Sequence, residues 1–144
     1  MQFKIARVIL TLVLLGGAAS SFELDWSANH LLNPAWHPHA RFHVAQLLFF
    51  HAGVALTGTW LLWRKSKEPF VAVSAAALMA GSFWLPLFFI TSILPGSNVW
   101  PSGPETIPRI AGHVFYPNLA VAAVFLFIIS FGWWLARCIV PQER

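Results

Sequence analysis

The sequence predicts an all-α protein: an integral membrane four-helix bundle with both termini in the cytoplasm. Three observations predict it. Nine basic and five acidic residues among 144 make the chain 10% charged, where a water-soluble domain carries about 25%. The charges cut the sequence into four long apolar runs. The basic residues gather at alternate breaks between those runs, as they do in multi-pass proteins.

The first span is read at about 4–22, with Lys4 snorkelling to the interface. Lys4 and Arg7, an apolar run and Gly16–Ser21 also form the pattern of a cleavable signal peptide; the retained helix is the reading adopted. The second, third and fourth spans are expected at about 42–63, 70–94 and 110–136. About 20 apolar residues cross the hydrocarbon core as a helix, so each suffices. Pro86 and Pro117 are expected to kink the third and fourth spans. The whole chain, 1–144, is then a single membrane domain, with tight turns on one side and two longer segments, 23–41 and 95–109, on the other.

Lys4, Arg7, Arg64, Lys65, Lys67, Arg137 and Arg144 fall on one side, seven of the nine basic residues. The positive-inside rule makes that side cytoplasmic and the two longer segments outer. A bacterial inner membrane is the expected location, with the His-rich loop on the non-cytoplasmic side. The eight Trp divide between the two ends of the spans, and interfacial belts account for nearly all of them. This composition excludes a soluble enzyme, a disordered tail and a nucleic-acid-binding module, since nine scattered basic residues form no patch. Cys138, the lone cysteine, excludes a disulfide framework and a Cys-based zinc site.

Chemistry concentrates on the outer side, where all six histidines fall. His30, His37 and His39 lie in the first outer segment, His43 opens the second span, His51 lies about two turns deeper and His113 opens the fourth. Asn33-Pro34 reads as an N-cap with Pro at the first helical position, and His37-Pro38 repeats that pattern. His39 and His43 are then four apart on one helical face, spaced to chelate one ion. The metal reading takes His39 and His43 as ligands, with His30 and His113 completing the set. Neutral imidazoles suit Zn, Cu or Fe. Against it stands the plainer reading that interfacial histidines bond to headgroups, loop carbonyls and one another.

Two alternatives follow from counting. Fatty-acid hydroxylases and desaturases use about eight His, and six cannot fill their boxes. A haem b site needs two axial His on facing helices, which His51 with His113, or His43 with His113, are placed to supply. That reading leaves the dense motif unused and ranks below the metal one. Arg41 is an anion partner by chemistry, for Glu23, Asp25, Glu105 or a lipid headgroup. With His30 and Glu105 it forms the candidate catalytic set. Asn118 and Tyr116 are candidates to line a pocket. The second outer segment, with Pro95, Pro101, Pro104 and Pro108, reads either as a lid over the bundle or as a stiff connector.

The run His30–Gln46, HLLNPAWHPHARFHVAQ, resembles the motif of small four-helix membrane proteins from bacteria and fungi, a family of unknown function in which some members carry acetyltransferase labels. His30, Asn33, Pro34, Trp36, Pro38, His39, Ala40, Arg41, Phe42 and His43 match it, whereas His37 falls at a variable position. The four-span layout also resembles the sterol-isomerase-like group, on architecture alone, since that group's acidic residues have no counterpart here. Neither resemblance supplies a substrate.

Two functions are therefore expected. The first is a metal-dependent membrane oxidoreductase or isomerase whose substrate is a lipid or other lipophilic small molecule. The second is an accessory subunit of a larger membrane complex or homo-oligomer, holding haem, pigment or copper through His. Transport ranks third, because no span carries an Asp, Glu, Lys or Arg in its interior.

Overall fold

Prolines set where three of the four long helices begin. In a computed structural model, which describes residues 2–138, α1 runs Gln2–Asp25, α2 Pro38–Trp63 and α3 Pro69–Trp84. A 3-10 turn, Leu85–Phe88, and a one-turn helix α4, Ile90–Ile93, follow α3. A second 3-10 turn at Pro104–Thr106 precedes strands β1, Arg109–Ile110, and β2, His113–Val114. The last helix, α5, spans Pro117–Arg137. Pro38, Pro69 and Pro117 each open their helix, where the missing N–H costs nothing and the fixed φ is already helical.

Four segments are long and apolar enough to cross a membrane: Phe3–Asp25, Pro38–Trp63, Pro69–Phe88 and Pro117–Arg137. The protein is thus a multi-pass integral membrane protein. Two span boundaries differ from the sequence reading, both because of proline. Pro117 does not kink the fourth span but starts it, with Tyr116 held extended at φ −101°, ψ 103°; the residue before proline is disfavoured in the α region. Residues 110–116 therefore leave the helix, and His113 lies on β2 instead of opening the fourth span. At the third span, Pro86 ends the α-helix, so residues 85–94 form the 3-10 turn and α4 rather than continuing α3.

The two strands pair antiparallel, Ile110 opposite His113. Ala111 and Gly112 both take positive φ, 51° and 83°, as a two-residue hairpin turn with the right twist requires.

In cross-section the long helices form a ring, α1 beside α2, α2 beside α3, α3 beside α5 and α5 beside α1, with α1 and α3 also touching across the middle. Small residues line the interior. Ala6, Ala18, Ala55, Ala72, Ala76, Ala80, Ala122 and Ala136 are buried together with Leu10, Leu14, Val73 and Ile129. Large ones face outward, among them Phe49, Phe50, Leu78 and Phe127. This inversion is what lipid as solvent favours: between helices the gain comes from close backbone approach and dispersion, not from escaping water. Two indoles tie neighbouring helices inside the bilayer span: Trp63 Nε1 donates to Thr11 Oγ1 (2.8 Å) and Trp133 Nε1 to Ser74 Oγ (3.0 Å).

The two ends of the bundle differ. Lys4, Arg7, Arg64, Lys65, Lys67 and Arg137 mark one end; Arg144 lies outside the described residues. Here Arg7 lies over Phe3, Arg64 over Trp60 and Arg137 over Trp133, with 4.7–5.4 Å between guanidinium carbon and ring centroid. Each cation rests on an aromatic face at the membrane boundary. The other end carries the histidines.

Candidate functional site

At the His-rich end the chain between α1 and α2 folds into successive turns, and most of the dense motif is spent building them. Asn33 Oδ1 accepts from Ala35 N–H (2.9 Å), an Asx turn over Pro34. His37 caps α2, its Nδ1 accepting from His39 N–H (3.3 Å). Arg41 donates Nε–H to the Leu31 carbonyl (2.7 Å), and Leu31 is itself buried at 5% exposure. That bond clamps the turn onto α2, so the arginine expected to grip an anion holds a loop carbonyl.

This scaffold delivers His30. Its backbone N–H bonds Ser27 carbonyl (3.1 Å), and Leu31 N–H bonds Asp25 carbonyl (3.0 Å), drawing His30 back over the end of α1. Trp36 packs edge-on against its ring at 6.0 Å. Ser27 Oγ donates its proton to the Leu24 carbonyl (2.7 Å) and stands 3.3 Å from His30 Nδ1. With that hydroxyl proton committed, Ser27 oxygen can only accept from Nδ1–H. The neutral imidazole is therefore held with Nε2 unprotonated, as an acceptor.

His30 opens onto a cavity of about 550 Å³ between the ends of α1, α3 and α5, under the Val99–Pro101 segment. Its polar lining comes from Ser21, Asp25, His30 and Asn118. Phe83, Trp84 and Trp100 supply aromatic walls. Ser21 Oγ is already used on the Gly17 carbonyl (3.0 Å). Among the described residues the Asp25 carboxylate has no side-chain hydrogen bond, and it lines the cavity with His30. One acid and one base thus share a mostly apolar chamber, the usual make-up of a small-molecule site.

Asn118 holds the cover. Its Nδ2 donates to the Val99 carbonyl (2.6 Å), tying the segment that carries Trp100 to the first turn of α5; Trp100 Nε1 in turn donates to Thr106 Oγ1 (2.8 Å). The Val99–Pro101 part of the second outer segment therefore covers the cavity. Asn118→Ala should free that carbonyl at a cost of about 1 kcal/mol. Hydrogen exchange of residues 97–101, followed by mass spectrometry, should then speed up by several-fold; unchanged exchange would show that the lid is held otherwise.

The other expected site residues are dispersed. His39 and His43 meet, with Nε2 atoms 3.0 Å apart, on the exposed face of α2. His113 is exposed on β2, and His30 lies in the cavity, so the four-histidine set does not assemble. Among the described residues, no three His, Cys, Asp or Glu side chains come together where they could hold a metal. His51 is buried in α2 and stacks on Phe83 at 3.7 Å, behind the cavity wall. With His113 off the helices, the expected haem pair of His51 and His113 on facing helices is not formed. Glu105 is exposed on the 3-10 turn and outside the cavity lining. Asp25 entered the sequence reading only as a possible partner for other groups. Its position, five residues before His30 and just past the uncharged run that ends at Phe22, was the signal for the pair.

Residues 9–142 match a family of unknown function, DUF6640. The chain belongs to that family. The sequence expectation of an unknown-function membrane family therefore holds at this level. No curated protein and no solved structure is similar enough to this chain to count as a match.

Proposed function

We propose that the protein is a membrane-embedded isomerase that takes a lipophilic small molecule with one polar end from the bilayer and moves a proton between two of its carbons. The observation that carries this reading is the pairing of Asp25 and His30 in an otherwise apolar cavity at the membrane boundary. A proton shift asks for one group that removes a proton and returns it elsewhere on the same molecule. His30 Nε2, left as an acceptor by Ser27, is that base. The Asp25 carboxylate stabilises the imidazolium formed between the two transfers, and the Nε2 proton exchanges with water at the membrane boundary before it is returned. The basic end faces the cytoplasm in this reading, which puts the cavity on the outer side.

The reaction can be looked for without knowing the substrate. Purified protein in detergent is incubated with a total lipid extract in D2O, and deuterium uptake at carbon is read by mass spectrometry. Wild type should label one lipid class. His30→Gln, which keeps size and loses the base, should slow labelling by about 10²–10⁴-fold, the usual share of a general base. Asp25→Asn should slow it less. No labelling by wild type, or labelling indifferent to both substitutions, would overturn the proposal.

A further inference from the structure

We propose that His39 and His43 form a two-histidine chelate for a divalent transition metal, separate from the cavity. The two Nε2 atoms lie 3.0 Å apart. Metal–imidazole nitrogen bonds are about 2.0–2.1 Å, so this separation subtends about 91–97° at a shared ion. Tetrahedral ligands, about 109° apart, would need roughly 3.3–3.4 Å between the nitrogens. A small rotation of either exposed ring reaches both geometries, and among the divalent ions Cu(II) binds such nitrogen donors most tightly.

The rings are held for this by more than their spacing. Phe42 lies parallel to His39 at 6.2 Å and meets His43 edge-on at 5.5 Å, flanking both imidazoles. Pro38 and the His37 cap fix the helix turn from which His39 projects. Both histidines are exposed, which leaves the remaining coordination positions to water or to an oxygen donor from outside the chain. Without metal, the same two nitrogens satisfy each other through one shared proton, which the ion would displace.

The site lies on α2 and shares no residue with the cavity, so it stands or falls independently of the isomerase reading. The test is Cu(II) alone, titrated into the full chain in detergent micelles and followed by equilibrium dialysis and electron paramagnetic resonance. The expected result is one tight site whose spectrum carries coupling to two imidazole nitrogens. Loss of an outer partner of a ligand already costs roughly 10–100-fold in affinity, so His43→Gln or His39→Gln should weaken binding at least about tenfold. His113→Gln, on the exposed hairpin, should leave it within about threefold, and circular dichroism checks that each variant is folded. Absence of a tight site in wild type would overturn the proposal. So would copper held equally well by His43→Gln, the mark of adventitious binding to other histidines.

Discussion

Trp84→Ala should lower the stability of the bundle by about 3 kcal/mol. Trp84 ends α3 at 6% exposure, stacks on Phe125 with ring centroids 4.3 Å apart, and meets Phe83 edge-on at 5.1 Å. Gly17 makes room for it: a Cβ there would stand 3.3 Å from the indole. Truncation would leave a void where α1, α3 and α5 converge. In soluble cores Trp→Ala costs roughly 3–5 kcal/mol. The low end applies here because the transfer from water drops out when the alternative surroundings are lipid, leaving the lost dispersion contacts. For a chain of this size the melting temperature in detergent should fall by roughly 6–12 °C. Trp134, at 52% exposure, is the internal control, and Trp134→Ala should change little. Equal effects from the two would mean that the indole packs elsewhere.

Gly58→Leu should be the most damaging substitution at a helix contact. Gly58 is buried on the stripe of α2 that carries Ala55 and Leu62, and a Cβ there would come 2.9 Å from Leu14 Cδ1 on α1. Leu14 is itself buried at 2% exposure, so it cannot swing into free space. A leucine would force α1 and α2 apart and forfeit the close approach on which helix association in lipid depends. Overpacking of this kind costs roughly 1–3 kcal/mol or more. Gly53 lies on the same helix with nothing within 4 Å of its would-be Cβ. Gly53→Ala should therefore be neutral or gain up to about 1 kcal/mol through helix propensity. Melting curves of the two variants in one detergent test the contrast. A Gly58→Leu protein as stable as wild type would mean that α1 and α2 do not pack through this face.

The clearest local reading concerned the start of α2. His37-Pro38 opens the helix as its sequence implies, and the i, i+4 spacing brings His39 to His43, because capping and helical register are decided by neighbours in the chain. Much of the motif around them builds local structure. Asn33 and His37 each bond a backbone N–H two residues on, and Arg41 gives its Nε–H to the Leu31 carbonyl. Whether a carbonyl ten residues away accepts the Arg41 guanidinium cannot be read from composition.

By itself the sequence determined the solvent of this protein and its number of crossings. The scarcity of charge leaves lipid as the favourable surroundings, and uncharged runs of sufficient length can satisfy their backbone only as helices. It also determined which end is basic and which holds the histidines, since both follow from position along antiparallel helices. Tertiary structure alone decided which of those histidines meet. Pro117 opens α5 late and leaves His113 on a hairpin, while Ser27 and Trp36 turn His30 inward beside Asp25. The cavity needs three helix ends and a lid from distant parts of the chain. Its walls, Trp84 and Trp100 among them, come together only when packing closes the ring, an outcome set by non-local contacts that no stretch of sequence encodes alone.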